Sequence, residues 1–457
     1  MRAYWSVAAI VAVSTVAALV LVTDGAAADD VRSELRTRDP SGVLATVSTR
    51  GAVIEPANPF FLSLGTNGRT CVSCHVPDQG WSVSPSQVQK RFEETQGLDP
   101  IFRTNDGSNS PNADVSTVAA RRSAYSMLLT KGLIRVGIGI PAGAEFELVA
   151  VDDPYHFASP RELSLFRRPL PSTNLGFLTT VMWDGRESTA PLTRPITFSD
   201  PGALTADLAQ QANDATRGHA QASRDLTDAE RQQIVAFELA LFTAQVVDNR
   251  AGDLTRDGAQ GGPLALSRQA FHVGINDDLG PDPLGGVFNP ASMTLFDGLK
   301  TTDESARRAI FRGQQLFTTR AFPIAGVGGL PGSLQGTCTT CHNSPNVGNH
   351  SVSLPLDIGL ADASRRTPDM PLYTLRQKGT GLTIATTDPG RALITGKWAD
   401  IGKFKGPILR GLAARAPYFH DGSAASLDAV VDFYNTRFTI GLSPREHADL
   451  VAFLRAL

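Results

Sequence analysis

Cysteine is scarce in this chain, four in 457 residues. A protein of this length buries a sizeable core without disulfide staples, so the shortage excludes a disulfide scaffold but not a stable fold. Charge of one sign is equally lacking: 42 Lys and Arg face 45 Asp and Glu, for a net −3. No basic field exists to gather nucleic acid or anionic lipid. Charged residues reach only 19% against 42% apolar, which rules out wholesale disorder. After Val22 no stretch is long and apolar enough to span a bilayer. Gly (42) and Pro (29) are plentiful and predict many ordered loops, while the length suggests two to three domains.

At the start, Arg2 precedes an apolar run from Trp5 to Val22, followed by Ala26, Ala27 and Ala28. A positive start, an apolar middle and a small-residue exit read as a secretory signal, residues 1–28, cleaved near Ala28. The competing reading is an uncleaved anchor of marginal length. Residues 29–52 are polar and read as a surface arm. In the next span, 53–247, Asp114 can cap a helix carrying Val115, Val118, Tyr125 and Leu129 up to Gly132. Ile134, Val136, Ile138 and Ile140 alternate, as do Phe146 and Leu148, and predict a small β-hairpin. Thr227 and Glu230 form a capping box for a helix running through Phe237 to Val246. Residues 248–302 read as a long connecting segment, 304–317 as a helix, and Ser443 with Glu446 as the cap of a final helix in the 303–457 domain. The glycines at 326, 328 and 329 follow no predicted strand, so a phosphate-binding loop is a poor reading.

Cys71-Val72-Ser73-Cys74-His75 and Cys338-Thr339-Thr340-Cys341-His342 each spell C-x-x-C-H. This is the attachment signature of c-type haem: two thiols join the macrocycle and the adjacent His ligates iron. A redox dithiol has no need of the His. A four-Cys zinc site would have to unite pairs 267 residues apart. Two covalent haems therefore account for all four Cys, and export fits because this haem is attached outside the cytoplasm. For a sixth ligand to the first haem, Met127, Met182, His156, His219 and His272 are the distant candidates, each with core or surface packing as the plainer reading.

Further strings accompany the two motifs. Trp183-Asp184-Gly185-Arg186 follows Asn174 by nine residues, and 404–410 (FKGPILR) leads into 416–423 (APYFHDGS). Together they resemble the bacterial di-haem cytochrome c peroxidase and MauG superfamily, over most of the chain and most specifically in its last third. The resemblance implies a mainly α fold of two cytochrome c-like haem domains, 53–247 and 303–457, with long loops. The N-terminal haem on His75 would react with hydrogen peroxide, and the C-terminal haem on His342 would collect electrons from a small c-type cytochrome or cupredoxin. Trp183 matches the aromatic relay between the haems. Asn174 and the carbonyl of Pro417 match calcium-site positions, although Arg415 stands where peroxidases often have Thr. A homodimer is implied by analogy alone.

Two departures from the family pattern bear on function. Fourteen residues after His420 the peroxidases carry a Met ligand; here Tyr434 stands there, as in MauG-type proteins, and reads either as haem ligand or as core, with Met370 as rival ligand. The family's distal Glu, about twenty residues after the Trp, is replaced by Ala203. Peroxide cleavage needs a group to take and return a proton, and His219 and Asp200 are the nearby candidates, with Asp207 beside them. The leading expectation is a periplasmic di-haem peroxidase. The alternatives are a MauG-like oxidase acting on a partner protein and a non-catalytic electron-transfer cytochrome.

Overall fold

The computed structural model describes residues 31–188, 202–330, 332–352 and 354–457. The signal segment 1–28 and Asp200 lie outside the described residues. Ten α-helices occur among them, α1 (Pro85–Thr95), α2 (Val118–Ala124), α3 (Ser126–Lys131), α4 (Gly202–Gly218), α5 (Asp228–Leu239), α6 (Gly262–Ser267), α7 (Ser305–Thr319), α8 (Ala392–Thr395), α9 (Leu427–Arg437) and α10 (Pro444–Ala456). Eleven short strands in four small sheets accompany them. The fold is therefore mixed, and more sheet-rich than helix periodicity alone suggests.

The expected polar arm is instead a β-hairpin. Strands β1 (Ser33–Asp39) and β2 (Gly42–Ser48) pair, and β2 continues onto a later strand, numbered β6 below, at Leu241–Asp248. Leu44, Ala45 and Val47 are buried because β6 covers the second strand. The expected hairpin at 134–151 fails in a different way. Strands β3 (Ile134–Ile138) and β4 (Phe146–Asp152) both form, yet β3 pairs with β5 (Leu163–Arg167), and β4 pairs with β10 (Leu372–Gln377), itself paired with β11 (Thr383–Thr386). Strand β6 also takes the short β7 (Gly252–Asp253), and β8 (Phe322–Ile324) pairs with β9 (Leu334–Gly336). Alternation fixes which face each strand buries, not which partner it chooses.

Local signals placed the helix starts well. Thr227 and Glu230 close a reciprocal capping box on α5, and Ser443 and Glu446 do the same on α10. Helix α5 ends at Leu239, however, and the β-branched and aromatic residues from Leu241 onward join the sheet. The 114–131 segment is two helices, broken at Tyr125 and capped by Thr117 rather than Asp114. Helices α7 and α10 form the densest packing of the C-terminal region around Phe296, Phe317 and Phe453. They touch at Gly313, where an added Cβ would lie 2.0 Å from the Asp449 carbonyl oxygen. The Asp449 carboxylate grips Arg312 through two 2.6 Å hydrogen bonds beside this crossing.

Candidate haem-binding site

The two C-x-x-C-H segments are built alike. Each Cys71–Ser73 and Cys338–Thr340 turn is a single 3-10 turn, started by a capping box from Thr70 and Ser73 or from Thr337 and Thr340. The backbone N–H of His75 donates to the Cys71 carbonyl at 2.9 Å, and that of His342 to the Cys338 carbonyl at 3.0 Å. The imidazole Nδ1 of His75 meets the Trp81 carbonyl at 3.1 Å, and that of His342 meets the Gly348 carbonyl at 2.6 Å. A carbonyl partner holds the proton on Nδ1 and leaves Nε2 as the metal-binding nitrogen. Burial pushes both imidazoles down to about 4, so both are neutral and able to ligate. All four thiols are free, and burial pushes Cys338 and Cys341 up to about 12. Cys71 and Cys74 pack into apolar clusters separate from those of Cys338, and among the described residues no group of His, Cys, Asp and Glu is gathered as a zinc site would need.

A large cavity opens beside the first motif, with 1610 Å³ of atom-free space, part of it open to solvent. Cys71, Cys74 and His75 line one side, and Ile234 and Glu238 of α5 with Leu208, Ala215 and Thr216 of α4 line another. The fit to haem can be judged from charge as well as room. Arg168, Lys405 and Arg415 line this space with no ion-pair partner among the described residues. Burial pushes Arg168 down to about 9, with the Arg415 charge adding to it, Arg415 to about 10 and Lys405 to about 8. Buried cations without counter-charges are costly unless an anionic ligand arrives. A macrocycle bearing two carboxylates meets both requirements.

Trp183 lines the same cavity and ties the two halves of the chain together. Its Nε1–H donates to the Arg168 carbonyl at 2.8 Å, and its own carbonyl accepts the Lys405 N–H at 2.8 Å. Its ring lies 6.3 Å from the buried His420, which stacks at 4.1 Å on Phe404. The motif around Trp183 is structural support. Asp184 is fully buried and accepts from Arg167 at 2.5 Å, while Arg167 also grips Asp388 at 2.7 and 2.9 Å. Gly185 has a φ of +72°, a left-handed turn that any side chain would strain.

The structure brings His219 into this cavity and leaves most rival ligands outside it. His219 follows α4, and its Nδ1 is hydrogen-bonded to Asp106, whose other oxygen receives Arg69. Burial opposes ionisation of Asp106, but His219 and Arg69 together outweigh it and hold the carboxyl below the usual range. Asp106 was not foreseen: it lies in a loop with no periodic signal. Glu238 was missed as well. It is 5% exposed, its Oε2 has no hydrogen-bond partner, and burial pushes it up to about 8. Its signal was available, a carboxylate between Phe237 and Leu239 on an otherwise apolar helix face. Met182 lines the cavity; Met127 packs with Met370 in a separate cluster, His156 is exposed, and His272 pairs with Asp282 at 2.8 Å. Asp207, near Ala203, is buried outside this lining.

At the second motif, Tyr434 packs in one cluster with Cys338, and its ring neighbours Phe433 and Phe438. Burial, with the sulfurs of Cys341 and Cys338 adding, raises its phenol above the ordinary value. Met370 sits instead beside Met127, Leu133 and Phe166, so the two rivals occupy different places. The Asn174 side chain is spent on the Thr243 backbone, accepting at 2.8 Å and donating at 2.9 Å. The Arg415 carbonyl, two residues before Pro417, accepts the Arg168 guanidinium at 3.2 Å.

No family model matches the chain. Cytochrome-c peroxidase IdrP2 of Denitromonas iodatirespirans is 36% identical over 133 residues, 27% of this chain and 36% of that protein. Methylamine utilization protein MauG of Methylorubrum extorquens is 27% identical over 314 residues, 64% of each chain. The chain thus spans just over a third of the peroxidase and less than two thirds of MauG. A solved MauG-like protein associated with microbial copper homeostasis aligns over 88% of this chain and 86% of its own, at 16% identity and a TM-score of 0.38, too low to define a shared fold.

Proposed function

Because the chain belongs to the di-haem cytochrome c peroxidase and MauG superfamily, we propose that it is a periplasmic di-haem peroxidase. It would reduce hydrogen peroxide to water with electrons from a small c-type cytochrome or cupredoxin, taken up at the His342 haem. The observation that carries this reading is the convergence, on one cavity, of a neutral His75, a carboxylate-oriented His219, a neutral Glu238 and Trp183. Haem attached at Cys71 and Cys74 would supply the redox chemistry. His75 ligates through Nε2 while the Trp81 carbonyl holds its orientation. His219 takes a proton from the incoming peroxide at Nε2, because Asp106 fixes the other nitrogen as the donor. Glu238, holding its proton at neutral pH, is a donor for the departing oxygen. Trp183 bridges the cavity to the C-terminal segment through Lys405, and Arg168, Lys405 and Arg415 would hold the carboxylates of the haem. Export is consistent with the signal-like start, and among the described residues no helix is long and apolar enough to cross a membrane.

A MauG-like oxidation of a partner protein is the second reading, favoured by the position of Tyr434 beside the second attachment motif. The deciding experiment is steady-state consumption of peroxide by haem-loaded protein with a reduced small c-type cytochrome. Turnover well above that of free haem is expected. Turnover equal to free haem overturns the peroxidase reading.

A further inference from the structure

Beside the second attachment motif lies a buried titratable pair that the proposed reaction does not use. His350 and Asp277 are each 8% exposed, with His350 Nε2 3.7 Å from Asp277 Oδ1. The Nδ1–H of His350 donates to the Val352 carbonyl at 2.6 Å, and its Nε2 has no hydrogen-bond partner. The gap to Asp277 is longer than a hydrogen bond, but a small side-chain movement would close it. A neutral imidazole has no proton on Nε2 to offer. An imidazolium has one, and would gain a charge-assisted bond to a carboxylate shielded from water.

The pair is joined to the turn that carries the haem ligand. Asn343, the residue after His342, donates to Asp277 at 3.2 Å and accepts the Ser351 N–H at 2.8 Å, so one side chain clamps both members. The same loop supplies the Gly348 carbonyl that meets Nδ1 of His342. A small cavity borders His350 and is lined also by Thr179, Asn349 and Lys405. Three groups from three segments therefore bear on the charge of His350. Asp277 favours the protonated form, while Lys405 across the cavity and His342 at the base of the loop oppose it. Burial is the strongest influence and holds the imidazole below its ordinary value, hence neutral at rest.

We propose that His350 takes up a proton when the iron held by His342 gains an electron, so that the second haem centre collects the two together. The added electron removes one positive charge near the imidazole, and Asp277 stands in place to pair with the imidazolium. The electron comes from the reduced donor protein and the proton from water. Reduction of peroxide to water consumes one proton with each electron, so under the peroxidase reading the pair stores them in the ratio that the reaction needs. The uptake itself rests only on haem at the second motif.

The test is a spectroelectrochemical titration of the haem-loaded full chain between pH 5 and pH 8, with each haem followed by its absorbance and paramagnetic resonance. In the parent, acid should favour the reduced C-terminal haem by up to about tenfold per pH unit, or about 59 mV for one electron. His350→Gln and His350→Leu should flatten the acid part of this dependence and meet the parent's potential at pH 8, where His350 is neutral in both redox states. Asp277→Asn should move the dependence to lower pH, because the imidazolium loses its counter-charge. The N-terminal haem should titrate as in the parent throughout, which separates proton uptake from general damage to the fold. A parent potential indifferent to pH, or an acid dependence kept in the His350 variants, overturns the proposal. If neither His350 variant loads haem, an unshifted dependence in Asp277→Asn overturns it instead. Peroxide plays no part in this titration, so turnover equal to free haem with the pH dependence intact removes the peroxidase reading and leaves the proton uptake standing.

Discussion

Replacing Glu238 with Gln should change how the protein's stability depends on pH. The carboxyl is 5% exposed and one of its oxygens has no partner, so the fold favours its neutral form and raises it from 4.5 to about 8. Between those values the folded chain keeps a proton that the unfolded chain releases, so stability falls as pH rises through that window. Each unit is worth about 1.4 kcal/mol, so the parent should lose roughly 2–3 kcal/mol between pH 5 and pH 7 that the Gln variant retains. Below the unfolded value both states hold the proton and this contribution is constant. Gln adds an N–H with its own burial cost, but that offset does not vary with pH. Urea denaturation of haem-loaded protein at both pH values, followed by far-ultraviolet circular dichroism, reads the difference directly. Parallel pH profiles for parent and variant would mean that Glu238 is ionised in the fold, and its role as a proton donor would fall with that.

Asp106→Asn should cut peroxide turnover about 10²- to 10³-fold by freeing His219 from its fixed orientation, with Asp106→Glu recovering part of it; turnover within twofold of the parent refutes the pairing. Tyr434→Phe should alter the ferric spectrum and electron paramagnetic resonance of the C-terminal haem and leave the N-terminal signals unchanged; an unaltered C-terminal signal removes Tyr434 as its ligand. Purified protein should carry well under one calcium per chain, and its melting temperature should not respond to a calcium chelator. A chelator-induced drop would show that Asn174 rearranges to bind the ion.

Much of the site could be read from the chain because covalent attachment and proximal ligation demand fixed neighbours in sequence. Cys71 to His75 and Cys338 to His342 are contiguous, whereas Trp183 is braced by Arg168 and Lys405 from distant parts of the chain. The helix caps at Thr227 and Ser443 were legible for the same reason, being local contacts three residues apart. Strand pairing was not legible. Strands β3 and β4 were read correctly as alternating segments, but partner choice depends on contacts as distant as Arg376 with Glu147. Asp106 and Glu238 stayed hidden for related reasons. One needs His219, far along the chain, to acquire meaning, and the other is distinguished only by the water it lacks.

The sheet that joins β4 to β10 and β11 also governs how this chain can be made and cut. Phe146 to Asp152 is synthesised more than two hundred residues before its partner Leu372 to Gln377. Until that later segment leaves the ribosome or the export channel, the edge of β4 stays open, a template for misplaced pairing. The two halves of the chain are therefore not excisable modules. Cutting within the 248–302 connection would leave β4 without its only partner while β10 keeps β11, so the N-terminal half should be recovered only when produced together with the C-terminal half.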